Sequence, residues 1–469
     1  MGNRWLVRSI SLVVLLAVVR CPTAASNSVP APIAAGETWT SGGPYGGSVQ
    51  RLARAPSEPD TLYAGTAGGI FRSTNGAATW TRTGFPAVRV YALQVSPVTS
   101  EVVYAGTDEG LFKSEDAGRT WDPKGLSGER VNDIAVDPRA PDTVYVCTGR
   151  SYTSVDTVGV FKTTDGGDTW QQKWIYTGNL SVAVTALLLD SDDPSVVYAG
   201  KSTGYGLLRS LDGGDTWESR HIGTDSFRND NVLAMAMTPA GAATARLYAS
   251  VSIPPRDSDV YVSVDRGDAW EPLDAPFVSG VLAVDPLQPL TMYMGPYRSM
   301  DGGATWSLKN EGLWGYPASY AIDPRDSAVV IAGLSSSGVF ESTDGAETWH
   351  FASEGMINTN VKGLSVDPAS ARKAFAAMSG TRLSVTTSGG GAWDYLPQSP
   401  ANLGAVAVDP QRPNRLIVGQ AGAGTVLFAH RSINGGQTWT RQALVYCIGA
   451  GSEIGVADIW ICARDPAIV

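Results

Sequence analysis

The chain has 469 residues and a formal net charge of −10. Its acids are spread among the turns and not gathered in a tail, which leaves no basic face for the phosphates of a nucleic acid. Hydrophobic residues make up 43%, enough for a core, but 53 glycines and 28 prolines interrupt almost every window of helical length, so the composition suits many short strands joined by tight turns.

At the N-terminus, Arg4 and Arg8 precede an apolar run from Ile10 to Val19, followed by Cys21-Pro22-Thr23-Ala24-Ala25-Ser26. A charged start, a short apolar segment and small residues near a cut site describe a secretory signal peptide over 1–25, with 26–38 as a linker. The run is too short for a permanent anchor, so the expectation is a secreted or periplasmic protein without stable membrane insertion. Cys21 leaves lipid attachment as the alternative, although Arg20 stands where a lipobox takes a small residue. Removing Cys21 leaves Cys147, Cys447 and Cys462, an odd and sparse set that is not a disulfide framework. Cys447 and Cys462 are placed to pair in the tail, though nothing in their spacing demands it.

From residue 39 onward one unit repeats. Trp39, in Gly36-Glu37-Thr38-Trp39, looks like the end of a first copy. Ser73-Thr74-Asn75-Gly76-Ala77-Ala78-Thr79-Trp80 then recurs at Ser114 to Trp121, Thr163 to Trp170, Ser210 to Trp217, Ser263 to Trp270, Ser299 to Trp306 and Ser342 to Trp349. A decayed copy runs from Thr386 to Trp393, with Ser388 in the acidic position, and the last from Ser432 to Trp439. Nine intervals separate Trp39 from Trp439, about 44 residues each. Ahead of five of the nine motifs sits an apolar stretch ending in Asp-Pro, such as Ile134-Ala135-Val136-Asp137-Pro138. A Tyr-rich strand follows, such as Leu62-Tyr63-Ala64-Gly65-Thr66, then a third strand such as Gly110-Leu111-Phe112-Lys113, and Thr-Trp opens a fourth. Four short strands per period predict one blade of a β-propeller. The expected fold is therefore all-β, a propeller of about nine repeats over 39–439, with seven to ten blades compatible with the count. Residues 440–469 form an irregular or truncated tail. There, Ile461-Cys462-Ala463-Arg464-Asp465-Pro466 resembles the first strand of another blade.

The motif explains itself structurally. The acid or amide at Asn75, Asp116, Asp165, Asp212, Asp265, Asp301, Asp344 and Asn434 accepts backbone amides within its own turn. The Trp packs as an apolar plug between neighbouring units. These units resemble Asp-box repeats, also called bacterial neuraminidase repeats, with the consensus Ser-x-Asp-x-Gly-x-Thr-Trp. Such repeats occur in sialidases, sortilin-type receptors, xyloglucanase-type glycoside hydrolases and photosystem assembly factors. The resemblance implies the propeller fold and leaves function open, because these families share the turn and differ in activity.

With the Asp-box turns on one face, ligand contacts are expected on the other, where second and third strands join and blades connect. Those loops are minimal in blades one and two. They lengthen in blade three, around Arg150, Tyr152 and Asp156, in blade four near Tyr205, and in blade five around Arg256 and Asp257. The connections entering blades four and five carry Trp174, Tyr176, His221, Asp225 and Arg228. Aromatic platforms beside Asp and Arg suit a glycan or protein ligand, and neutral loop drift is the plain alternative. Trp314 and Tyr316 form a second aromatic pair suited to the same use.

Enzyme templates largely fail. The sialidase-type Phe/Tyr-Arg-Ile-Pro motif is absent, and no arginine triad can be matched. The xyloglucanase-type resemblance at Tyr63 to Gly69 lacks that family's catalytic Asp, since Ala67 occupies the position. Three scattered histidines, His221, His350 and His430, have no metal-ligand spacing, so no metal or cofactor is expected. There is no Gly-x-Ser-x-Gly elbow, and Gly200-Lys201-Ser202 follows a strand where a P-loop would open a helix. The expectation is an exported, monomeric, non-catalytic propeller that binds a protein or glycan. The alternative is a secreted glycoside hydrolase using loop carboxylates such as Asp156 or Asp257.

Overall fold

A computed structural model describes residues 47–446, apart from 150–157, 177–181, 203–205, 223–230, 253–258, 277–279, 357–360, 371, 379–380 and 421–425. Trp39, the leader and the stretch 461–466 lie outside the described residues. Among the described residues every regular element is a β-strand, and all are assembled into nine four-stranded antiparallel sheets. The blades span 49–82, 90–123, 130–175, 184–220, 231–272, 283–308, 317–351, 361–395 and 403–446. Each is a simple meander built from one continuous stretch of chain.

The strands differ in burial for local reasons. First strands carry apolar residues in a fixed rhythm, as with Val90, Leu93 and Val95 in Val90–Val95. Second strands such as Leu62–Thr66 and Val103–Thr107 are buried throughout, because a neighbouring blade covers each side. Fourth strands such as Thr81–Arg82 are short and exposed. Blades approach closely at the second strand: a Cβ at Gly65 would lie 2.7 Å from Cγ1 of Val90 in the next blade. The tyrosine two residues earlier is fully buried and reaches the same way, with Tyr63 Oη donating to Ser100 O at 3.0 Å. The Asp of each Asp-Pro pair caps its own turn, as where Asp137 Oδ1 accepts from Arg139 N at 2.8 Å.

All nine expected units are present, but they do not form one ring. Blades one to seven close on themselves. Some motif Trp side chains reach back to the preceding blade: Trp170 Nε1 donates to Lys124 O (2.7 Å) and Trp349 Nε1 to Lys309 O (3.0 Å), whereas Trp121, Trp217 and Trp439 bond a glycine carbonyl of their own turn. Trp80 of blade one makes the same bond to Ala352 O of blade seven at 2.8 Å, and its backbone N donates to Glu354 O at 2.7 Å. A Cβ at Gly333 of blade seven would meet Val49 Cγ1 at 2.6 Å, repeating the contact of Gly65 with Val90. This closing joint adds an ion pair, Arg54 Nη1 to Asp323 Oδ2 at 2.9 Å, with both side chains buried. Arg325 extends it by bonding Asp323 (2.8 Å) and Asp60 (2.5 Å).

Blades eight and nine lie outside the ring and pack on each other through Phe375, Ala377, Leu403, Val406 and Val408. An aromatic cluster attaches them. Tyr395 of blade eight sits 4.7 Å from Phe351 and 4.9 Å from Trp314, ring centre to ring centre. Among the described residues, the first strand of blade eight, Val361–Val366, has no blade against its outer side. Val361, Leu364 and Val366 are accordingly 41%, 62% and 52% exposed.

Candidate functional site

The meander fixes which loops share a face. Turns between strands one and two and between strands three and four fall together, and the remaining connections fall opposite. The Asp-box turns occupy the first face and are tied into it. Gly76 N donates to Asp60 O, and Gly166 N to Asp142 O, across to the neighbouring turn. Within the motif, Ser114 Oγ donates to Asp116 Oδ1 (2.9 Å). Thr120 supplies both its N (2.9 Å to Oδ1) and its Oγ1 (2.6 Å to Oδ2). The Thr120 hydroxyl and amide hold the Asp116 carboxyl down at about 2.

The same turn bond joins Thr79 N to Asn75, Thr169 N to Asp165, Thr216 N to Asp212, Thr305 N to Asp301, Thr348 N to Asp344 and Thr438 N to Asn434. Asp265 accepts from Ala269 N and from Ser263 Oγ and lacks only the Thr hydroxyl, because Ala269 stands in that position. In the decayed copy Ser388 Oγ takes the carboxylate's place and accepts from Ala392 N at 2.8 Å. Each of these groups is engaged by its own turn.

On the opposite face, three of the sequence candidates can be placed. Trp174 lies in Gln171–Ile175, the last strand of blade three, paired with Val160, and Tyr176 follows at the strand's end. Their rings are 6.4 Å apart and tilted by 34°, half-buried against the apolar joint between blades three and four. His221 is exposed just after Glu218–Arg220, while the adjacent Ile222 is buried in the next joint. Arg150, Tyr152, Asp156, Tyr205, Asp225, Arg228, Arg256 and Asp257 lie outside the described residues.

The second aromatic pair divides. Tyr316 is exposed. Trp314 is engaged in structure: it stacks on Phe351 at 5.2 Å and 12°, and meets Phe340 and Tyr395 edge-on. Its hydrophobic face is thus covered by the attachment of blade eight and is not a platform for a ligand.

Two features of this face escape the candidate set. Lys201 ends the strand Val197–Lys201 and brings its Nζ to 5.9 Å from the centre of the Trp174 ring. Burial pushes its pKa down. In blade two, Asp108 accepts from Tyr91 Oη at 2.9 Å, and the Arg130 guanidinium lies 3.8 Å over the Tyr91 ring. Lys201 has a signal in the sequence, since Thr66 and Thr107 end the equivalent strands of blades one and two, and Thr148 stands one residue before the end of its counterpart in blade three.

The ring axis holds a cavity of about 160 Å³ lined by first strands, with Arg51 and Asp133 as its charged groups. Asp133 binds Ile134 N (3.0 Å) and Leu187 N (2.8 Å), joining blade three to blade four, and burial raises its pKa. Cys147 lies opposite it in the ladder, a buried free thiol whose pKa burial also raises. Among the described residues no group of three or more His, Cys, Asp or Glu is arranged to hold a metal ion. Among the same residues no helix is long and apolar enough to cross a membrane.

Nine four-stranded meanders, seven of them closed around an axis, define a β-propeller. No family model matches the sequence, and no curated protein does. Among solved structures, the chain is similar to a GH74 enzyme of Niastella koreensis at 18% identity, covering 86% of this chain and 74% of that one, with a TM-score of 0.55. It is similar to the GH74 xyloglucanase from Xanthomonas campestris at 16% identity, over 86% and 81% of the two chains, also at 0.55. An ancestral GH74 enzyme matches at 18% identity over 86% and 64%, at 0.62. At these identities the likeness speaks for the propeller fold alone.

Proposed function

We propose that the protein is an exported, monomeric propeller that binds a carbohydrate on the face opposite its Asp-box turns, at the groove between blades three and four. The observation that carries this reading is the Trp174–Tyr176 pair, two half-buried rings set side by side at the mouth of a rigid joint. Flat apolar ring faces beside a few polar groups are what a sugar's C–H faces and hydroxyls require. The Asp-box face is occupied by its own hydrogen bonds and has less to offer a ligand. A second reading, glycoside hydrolysis, is favoured by the likeness to GH74 enzymes. It needs two carboxyl groups roughly 5–10 Å apart, and Asp156, Asp225 and Asp257 are the loop acids the sequence offers for it.

The test is a glycan array, followed by calorimetry and a reducing-sugar assay on the mature chain. Binding without turnover is expected, with Trp174→Ala weakening it at least about tenfold. Turnover abolished by Asp156→Asn or Asp257→Asn would establish hydrolysis instead. Silence towards every glycan would refute both readings and point to a protein ligand.

A further inference from the structure

The repeated blades allow one position to be compared across the chain. One residue near the end of each second strand is fixed by register, since it pairs with the residue just ahead of the first strand's bulge. Those pairs are Thr66 with Val49, Thr107 with Val90, Thr148 with Val131 and Lys201 with Val184. They continue with Val251 and Val232, Leu334 and Pro317, Met378 and Val361, and Gln420 and Leu403. In blades one and two this residue holds its turn together. Thr66 Oγ1 donates to Gly69 O (2.8 Å) and accepts from Gly68 N (3.0 Å), and Thr107 does the same with Gly110 O and Glu109 N. Thr148 accepts from Gly159 N at 3.0 Å. Where the hydroxyl is lost in later blades an apolar or amide side chain replaces it. Blade four alone among these eight carries a charge.

That charge is placed at a cost. Lys201 is only 7% exposed. Among the described residues neither a carboxylate nor a hydrogen-bond acceptor partners its ammonium. Its backbone is held firmly: Lys201 N donates to Gly206 O at 2.7 Å, and Ser202 is bonded in both directions to Ala183. A sequestered ammonium without a counter-ion is unfavourable until an anion reaches it. Its position beside the Trp174 ring puts it at the edge of the aromatic pair proposed above as the sugar platform.

We infer that the groove between blades three and four selects anionic sugars, with Lys201 receiving the acidic group of a residue that stacks on Trp174. This inference rests on the carbohydrate reading of the same groove. The chain as a whole carries −10 and so repels polyanions at long range. A preference for an acidic glycan must then come from local charge, and removing Lys201 removes it.

Three oligosaccharide probes of equal length test the inference against the full mature chain by calorimetry: an oligouronate, its carboxyl-reduced neutral counterpart, and a sulfated one. The expected result is a preference of at least about tenfold for an acidic probe over the neutral one, weakening as salt rises. Whichever acidic probe binds tighter identifies the acid as carboxylate or sulfate. Lys201→Met keeps the apolar stem against Trp174. It should leave the melting temperature and the neutral-probe affinity in place while bringing the ratio to about one. Lys201→Arg should keep most of the preference.

Equal affinity of the wild-type chain for acidic and neutral probes, or an unchanged ratio in Lys201→Met, would overturn the inference and leave carbohydrate binding standing. Failure of all three probes to bind, with the wider array also silent, would remove the carbohydrate reading and this inference together.

Discussion

Leu93 in blade two and Leu364 in blade eight hold the same place in the same repeat, yet one is 7% exposed and the other 62%. Both sit in first strands with the same bulge, three residues after a leading valine, Val90 and Val361. What differs is the neighbour. In the ring, blade one lies against Leu93, whereas among the described residues no blade lies against the outer side of blade eight. Blade nine shows that the repeat itself is sound, since Leu403, Val406 and Val408 bury fully once blade eight is beside them. A blade's first strand is therefore half of an interface, and its apolar residues stabilise the fold only where the other half is present.

The contrast can be broken most sharply by placing a charge at the two leucines. Leu93→Asp buries an unpaired carboxylate and should cost several kcal/mol, so that the ring fails to fold or melts far lower. Leu364→Asp should leave the melting temperature nearly unchanged and improve solubility, because the site is already wet. Equal loss at both positions in thermal melts would mean that blade eight is covered in solution.

A smaller effect is expected at the closing joint. Asp323→Ala leaves Arg54 buried without its partner and should cost on the order of 3 kcal/mol. Asp367, whose partner Lys373 is in its own blade at 3.2 Å, should matter less when changed to Ala. The joint also predicts a pH dependence. The hydrogen bond from Arg325 holds the Asp323 carboxyl below its ordinary value. A depressed folded pKa contributes stability that is complete above the unfolded value, near pH 4, and is lost as pH falls through the folded value. Melts between pH 2 and 6 should therefore converge for wild type and Asp323→Ala at the acid end, and a constant gap would refute the assignment.

The smallest effect belongs to the Asp-box itself. Asp116→Ala in the ring and Asn434→Ala in the outlying pair each remove the acceptor for a Thr amide. Faster hydrogen exchange at Thr120 and Thr438, with little change in global stability, is the expected outcome.

The units, their four strands and the structural use of the Asp-box were legible because each depends on neighbours within about forty residues. The ring size was not, because a repeat written nine times carries no count of how many copies close. The Trp80 bond to Ala352 spans the whole ring and has no local signature. At the site, Trp174 and Trp314 look alike in sequence, each an aromatic near a connection between blades. They part only because Tyr395, far along the chain, packs on Trp314. Lys201 has a local signal, since Tyr198-Ala199-Gly200-Lys201 matches Tyr63-Ala64-Gly65-Thr66 and Tyr104-Ala105-Gly106-Thr107, but its burial beside Trp174 depends on how the blades pack and has none.

The closing joint also decides where the chain passes in and out of the ring. Gly338 N of blade seven donates to Gly47 O, just ahead of blade one, so the entry strand and the exit blade are neighbours. Among the described residues no strand is exchanged between the first and seventh blades. The ring thus behaves as a cassette with adjoining ends: further domains can be strung before or after it without threading through it. The two outlying blades hang from that doorway like a leaf on a hinge post.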